Sequence, residues 1–139
     1  MRTERYHPWR DFRSAGEWVL EMADLPAHVQ GRTDFPTGRV LVSRSLDQAG
    51  RRSTIAHELV HLERGPVSST PRLRKLEERA VEETAARRLV DLPRLISALR
   101  WSRWPDEIAE ECWVDLPTLR ARIEHLTPGE RAALTAALR

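Results

Sequence analysis

Apolar positions recur at helical spacing from Trp9 to Asp24, where Phe12, Ala15, Trp18, Val19 and Met22 share a face. An amphipathic first helix is predicted there, closed by Leu25-Pro26 because the residue before a proline disfavours helical backbone. The pattern then changes. His28 to Asp34 and Gly38 to Arg44 look extended, lie either side of Phe35-Pro36-Thr37-Gly38, and take β character from Val40, Leu41 and Val42, which predicts a two-stranded hairpin. A second helix is predicted from Ala49 to Arg64, stopped by Gly65-Pro66. Pro66 to Arg72 is rich in Ser, Thr and Pro and is expected to be a loop. Beyond it, Leu73 to Val90 places Leu76, Ala80, Val81, Ala85 and Leu89 on or near one face of a third helix. Four shorter helices follow: Leu95 to Arg100, Pro105 to Cys112, Pro117 to His125 and Pro128 to Leu138. The expected fold class is α+β, mostly α, with residues 1–92 as a core and residues 93–139 as a helical lobe packed on it.

Length and composition narrow the chemistry. The chain has 139 residues, enough for one core and too few for a large multidomain enzyme. No apolar run spans a bilayer, and Met1 to Arg13 is polar and arginine-rich without the apolar stretch of a signal peptide, so a cytoplasmic location without membrane contact is expected. The single cysteine, Cys112, excludes an internal disulfide and a paired-thiolate metal site, leaving His and carboxylate as metal ligands. Charge is dense but balanced, 23 Lys and Arg against 21 Asp and Glu, so strong non-specific nucleic-acid binding is not implied.

His57-Glu58-Leu59-Val60-His61 lies inside the second predicted helix. Residues four apart share a helix face, so two neutral imidazoles can address one ion while Glu58, beside the first, serves as general base. The neighbouring Ile55, Ala56, Leu59, Val60 and Leu62 suit a buried zinc helix. The spacing of the third ligand then separates classes of zinc enzyme. A third histidine shortly after the motif would need glycine at 64 and histidine at 67, where Arg64 and Val67 stand. The deformylase pattern needs an upstream cysteine. A glutamate from the next helix remains, and Glu77, Glu78, Glu82 and Glu83 are the candidates. Periodicity puts Glu78 and Glu82 with Val81, Ala85 and Leu89. A carboxylate on a core-facing stripe is costly unless it is paired or bound to metal, so Glu78 is taken as ligand and Glu82 as acceptor for a ligand histidine. Glu82 as ligand stays open, as does a pair of solvated glutamates bonded to arginines. For an oxyanion stabiliser, residue type offers Tyr6, His7, His28 and His125 without choosing among them. Val40 to Ser43 is a candidate edge strand for extended substrate, or an ordinary strand covering the core.

Arg51-Arg52-Ser53-Thr54-Ile55-Ala56-His57-Glu58-Leu59-Val60-His61 and Glu78-Arg79-Ala80-Val81-Glu82-Glu83-Thr84-Ala85-Ala86 resemble the two motif blocks of the ImmA/IrrE-type metallo-endopeptidases, over about Phe35 to Leu89. Here Val81 stands for the family's alanine, Glu82 for its amide or short acid, and Thr84 for its aromatic. The resemblance implies a zincin-like minidomain with a small antiparallel sheet, Zn2+ on His57, His61 and Glu78, Glu58 as catalytic base, and gluzincin-like endopeptidase activity. It also implies a partner, a helix-turn-helix repressor as protein substrate.

Asp106 to Ile123 has the cadence of a helix-turn-helix around Trp113-Val114, which opens a second reading as a DNA-binding regulator. Residues 94–139 hold seven arginines against seven acids, so a packing or substrate-docking lobe is favoured and direct nucleic-acid binding is not expected. Trp101, Trp104 and Trp113 are expected to anchor this lobe. A third reading is a metal site that senses or stabilises without hydrolysis, and Glu58 discriminates, because such a site has no use for a base.

Overall fold

The computed structural model describes residues 4–139, so Met1, Arg2 and Thr3 at the head of the polar Met1 to Arg13 stretch lie outside the described residues. The chain runs α1 (Pro8–Phe12), β1 (Val19–Ala23), β2 (Gly31–Asp34), β3 (Arg39–Ser43), α2 (Gln48–Arg64), α3 (Pro71–Leu89), α4 (Leu92–Trp101), α5 (Pro105–Glu111), α6 (Leu116–Glu124) and α7 (Pro128–Ala137). This is an α+β protein, mostly helical.

The predicted helix over Trp9 to Asp24 is not there. Helical backbone stops at Phe12 with Arg13 as its C-cap, the chain turns through Gly16 at φ +74, and Val19–Ala23 becomes a strand. The helical spacing was a coincidence, because β1 pairs parallel with the distant β3, from Val19 opposite Arg39 to Ala23 opposite Ser43. The expected hairpin is present. β2 and β3 pair antiparallel around a turn closed by Gly38 N donating to Asp34 O at 2.9 Å, with Gly38 at φ +69. The sheet order is therefore β1-β3-β2 and the sheet is mixed rather than antiparallel. Val40 to Ser43, the candidate edge strand, is the central strand with both edges paired. The free edges belong to β1 and β2.

Helix α2 sits between two apolar clusters. On one side Ile55 and Leu59 meet Phe12, Val40 and Val42 from α1 and the sheet. On the other, Ala56 and Val60 meet Val81, Ala85 and Leu89 of α3 and, beyond them, Leu95, Ile108 and Leu119. Burying these branched side chains against both layers fixes α2 by about 1.5–3 kcal/mol each. Asp47 caps its start by accepting from Gly50 N at 2.7 Å, and Gly65 at φ +93 ends it as the Gly65-Pro66 signal predicts. α3 starts at Pro71, inside the predicted loop, because proline is accommodated in the first turn of a helix. Its N-terminal half departs from the expected core face: Leu76 is exposed, while Val81, Ala85 and Leu89 are buried.

α5 and α6 meet at the predicted Trp113-Val114 turn, where Trp113 takes φ +59. The tryptophans do not anchor the lobe. Trp101, Trp104 and Trp113 are all exposed, and the lobe is held by smaller residues, Leu95, Ala98, Ile108, Cys112, Val114 and Leu119.

Candidate metal centre

The reversal between α2 and α3 brings His57, His61 and Glu78 together. One ligand atom from each lies within 4.8 Å of the others. His61 Nε2 is 3.0 Å from one Glu78 oxygen and His57 Nε2 is 3.4 Å from the other. An ion bound tetrahedrally at about 2.0–2.1 Å from each donor would space the donors roughly 3.4 Å apart, so two imidazoles and a carboxylate at these separations fit a divalent cation. The two histidines share one face of α2, because Ile55, Ala56, Leu59 and Val60 bury the flanking positions and leave a polar face towards α3.

The electrostatics point the same way. Hydrogen bonds from His57 and then His61, with their positive charge, hold the Glu78 carboxyl far below the usual carboxylate range against its partial burial. Burial opposes charging of His61, but its hydrogen bond to Glu78 and the carboxylates of Glu78, Glu58 and Glu77 outweigh it and raise its pKa. The His61 ring is buried and its Nδ1 meets no partner, an orphaned polar atom of the kind native cores avoid.

Glu58 is buried beside this cluster, outside the ligand set. The Thr33 hydroxyl of β2 reaches its Oε2 at 2.7 Å and its carbonyl at 3.2 Å. Gly31, two residues earlier, lets the strand pass: a Cβ there would lie 2.6 Å from Thr54 Cγ2 and 3.1 Å from Glu58 Cγ. Sequence reasoning passed over both residues. Gly31 carried a usable signal, since a glycine inside a strand often marks a close backbone approach; Thr33 carried none.

A cleft of about 740 Å³ opens over His57 and Glu58, walled by residues 27–31, by Glu82, Ala85 and Ala86 of α3, and by Thr118, Arg120 and Glu124 of α6. Of the four oxyanion candidates, the structure brings only His28 to it. The Tyr6 hydroxyl donates to Asp11 at 2.6 Å and its pKa is pushed up, by burial first and that bond second. His7 lies by Glu4, and His125 lies 3.7 Å from Glu83. Glu82 does not accept from a ligand histidine. It is exposed in the cleft wall without a hydrogen-bond or ion-pair partner among the described residues, and the histidines face Glu78 instead. Glu77, towards the edge of the stripe, is taken by Arg64.

A peptidase-family profile, Peptidase_M78, described as the IrrE N-terminal-like domain, matches residues 12–124. No curated protein and no solved structure matches significantly.

Proposed function

The chain belongs to the IrrE N-terminal-like metallopeptidase family, and from that premise we propose that it is a zinc-dependent endopeptidase that cleaves a helix-turn-helix repressor or a similar regulatory protein. The observation that carries this reading is the convergence of two histidines and one glutamate on a single point beside a cleft that also holds a buried, uncoordinated glutamate. A site used only for structure has no need of that glutamate, and it closes all its coordination positions with protein ligands.

In this reading His57, His61 and Glu78 hold zinc. The bound ion supplies a Lewis acid for the scissile carbonyl and for the attacking water. Glu58 accepts the water proton and returns it to the leaving amine. Thr33, by donating to Oε2, holds the carboxylate in place and leaves its other oxygen to take the proton. His28 and Arg120 are the side chains of the cleft wall suited to meet negative charge on the carbonyl oxygen. The polar cleft accepts a peptide segment, and α6 forms its far wall. Arg120, one of the two arginines a recognition helix would offer to DNA, lines that wall, which weakens the DNA-binding reading.

The test is chelator-sensitive cleavage of a helix-turn-helix repressor encoded beside this chain's gene. Glu58→Gln is expected to retain the metal and to lose activity by roughly 10²–10⁴-fold. Cleavage by that variant at the wild-type rate would remove the mechanism.

A further inference from the structure

Leu73 and Leu76 are 52% and 56% exposed, and no other large aliphatic side chain among the described residues is more than half exposed. They sit one turn apart on the side of α3 turned away from Glu78. Together they line a hollow of about 620 Å³ whose other wall is Pro66, Val67 and the Arg64–Glu77 ion pair. A single exposed leucine is ordinary, whereas two adjacent ones in a concave site form a patch that marks an interaction.

The charge around this patch is of one sign. Arg72, Arg74, Lys75 and Arg79 are exposed, and none meets a carboxylate among the described residues. Arg72, Lys75 and Arg79 follow one flank of the leucines by helical spacing, and Arg74 on the other flank reaches Ser68 O at 3.5 Å. The acids of α3 are engaged elsewhere. Glu77 is held by Arg64, Glu78 by the two histidines and Glu83 by Arg87, while Glu82 stands in the wall of the cleft over His57. The start of the helix deepens the imbalance: α3 has no acidic residue in its first turn and no side-chain cap from Thr70, so its cations crowd the positive end of the helix dipole, where they are unfavourable. A partner carrying negative charge relieves both.

We propose that this face of α3 binds an acidic amphipathic segment of a partner protein, whose aliphatic side chains enter the Leu73–Leu76 hollow while its carboxylates meet Arg72, Lys75 and Arg79. The shape and lining of the hollow select this occupant. A concave site takes protruding side chains better than it takes a flat bilayer surface, and an aliphatic lining offers no ring on which a nucleobase stacks. Two leucines provide little apolar area, so charge supplies much of the attraction and the complex is weak and salt-dependent. The hollow shares no lining residue with the cleft over His57 and Glu58, so a segment bound here leaves that cleft open. The inference does not rest on the peptidase reading.

The probe is a synthetic peptide with leucine on one helical face and glutamate on the rest, titrated into the full chain while amide chemical shifts are followed by NMR. Shifts are expected in residues 64–79, with affinity falling as salt rises. Leu76→Ser should weaken binding roughly tenfold and keep the wild-type circular dichroism melt, because the side chain is exposed. The combined Arg72→Glu, Lys75→Glu and Arg79→Glu variant should melt no lower than the wild type, lose the glutamate peptide and bind the same peptide made with lysine. Replacing the peptide's leucines by serine should also weaken binding roughly tenfold. The proposal is overturned if the glutamate peptide moves no resonance of residues 64–79, if its serine version binds equally well, or if the charge-reversed variant still takes it. It is equally overturned if those resonances respond to phosphatidylglycerol vesicles, to single-stranded oligodeoxythymidine or to concentrating the chain alone in place of the peptide.

Discussion

Helix α2 buries a polar group at each end, and the two are satisfied in opposite ways. Towards the N-terminus, Arg52 sends its guanidinium to the carbonyls of Trp113 at 3.0 Å, Tyr6 at 2.9 Å and Leu89 at 3.4 Å. That one side chain ties together the N-terminal segment, the end of α3 and the α5–α6 turn. Burial, then the nearby Arg5 and Arg94, lower its pKa to about 10, which still leaves it charged at neutral pH. Towards the C-terminus, His61 leaves Nδ1 unpaired and shares a half-exposed carboxylate with His57. Closed polar groups of the first kind specify the fold. An under-satisfied cluster of the second kind at the edge of a cleft is poised for a ligand.

That contrast can be broken by substitution. Arg52→Met strips three carbonyls of their donor and should cost roughly 3 kcal/mol, a fall in melting temperature on the order of 10 °C by calorimetry. An unchanged melt would show that Arg52 is not a tie. Gly31→Ala drives a methyl into Thr54 and the stem of Glu58, and should cost about 1–3 kcal/mol in a denaturant melt, with the damage centred on the β2–α2 contact. A variant as stable as the wild type would mean that the strand can simply shift.

Arg122 and Glu130 form a second closed group, and this one responds to pH. Buried Arg122 donates to Val90 O at 2.7 Å and to Glu130 at 2.6 Å, and Arg87 reaches the same carboxylate. Arg122 first, then the Thr127 N–H and Arg87, hold Glu130 down to about 2 from an ordinary 4.5. A carboxylate depressed in the folded state stabilises above its unfolded pKa, and that contribution is lost as pH falls from 4.5 towards 2. The wild-type melting temperature should therefore drop more across that window than that of Glu130→Gln; parallel curves would contradict the tie. Smallest of all should be His61→Leu in metal-free protein. It removes an orphaned Nδ1 and one bond to Glu78, so stability should change by less than about 1 kcal/mol, although His61 is as buried as Arg52. A loss matching that of Arg52→Met would erase the contrast.

Helix ends and the hairpin were legible because their causes are local: Gly65-Pro66, the Phe35 to Gly38 turn, and the prolines that open α5 and α7. β1 was not. Phe12, Ala15 and Trp18 mimic a helical stripe, and what makes Val19–Ala23 a strand is β3, distant in sequence. The grouping of His57, His61 and Glu78 follows from two helical periodicities, so residue spacing could anticipate it. Glu82 shares that periodicity, but no pattern could tell that its side chain stays in the cleft wall. The Thr33 contact to Glu58 and the α6 wall arise from packing between separate elements, and so lie beyond any local signal.

The most direct test is zinc stoichiometry by native mass spectrometry on the wild type, Glu78→Ala and Glu82→Ala. One equivalent per chain in the wild type and in Glu82→Ala, with loss in Glu78→Ala, is the predicted result. Retention by Glu78→Ala with loss in Glu82→Ala, or no zinc in the wild type, would contradict the two-histidine, one-glutamate site.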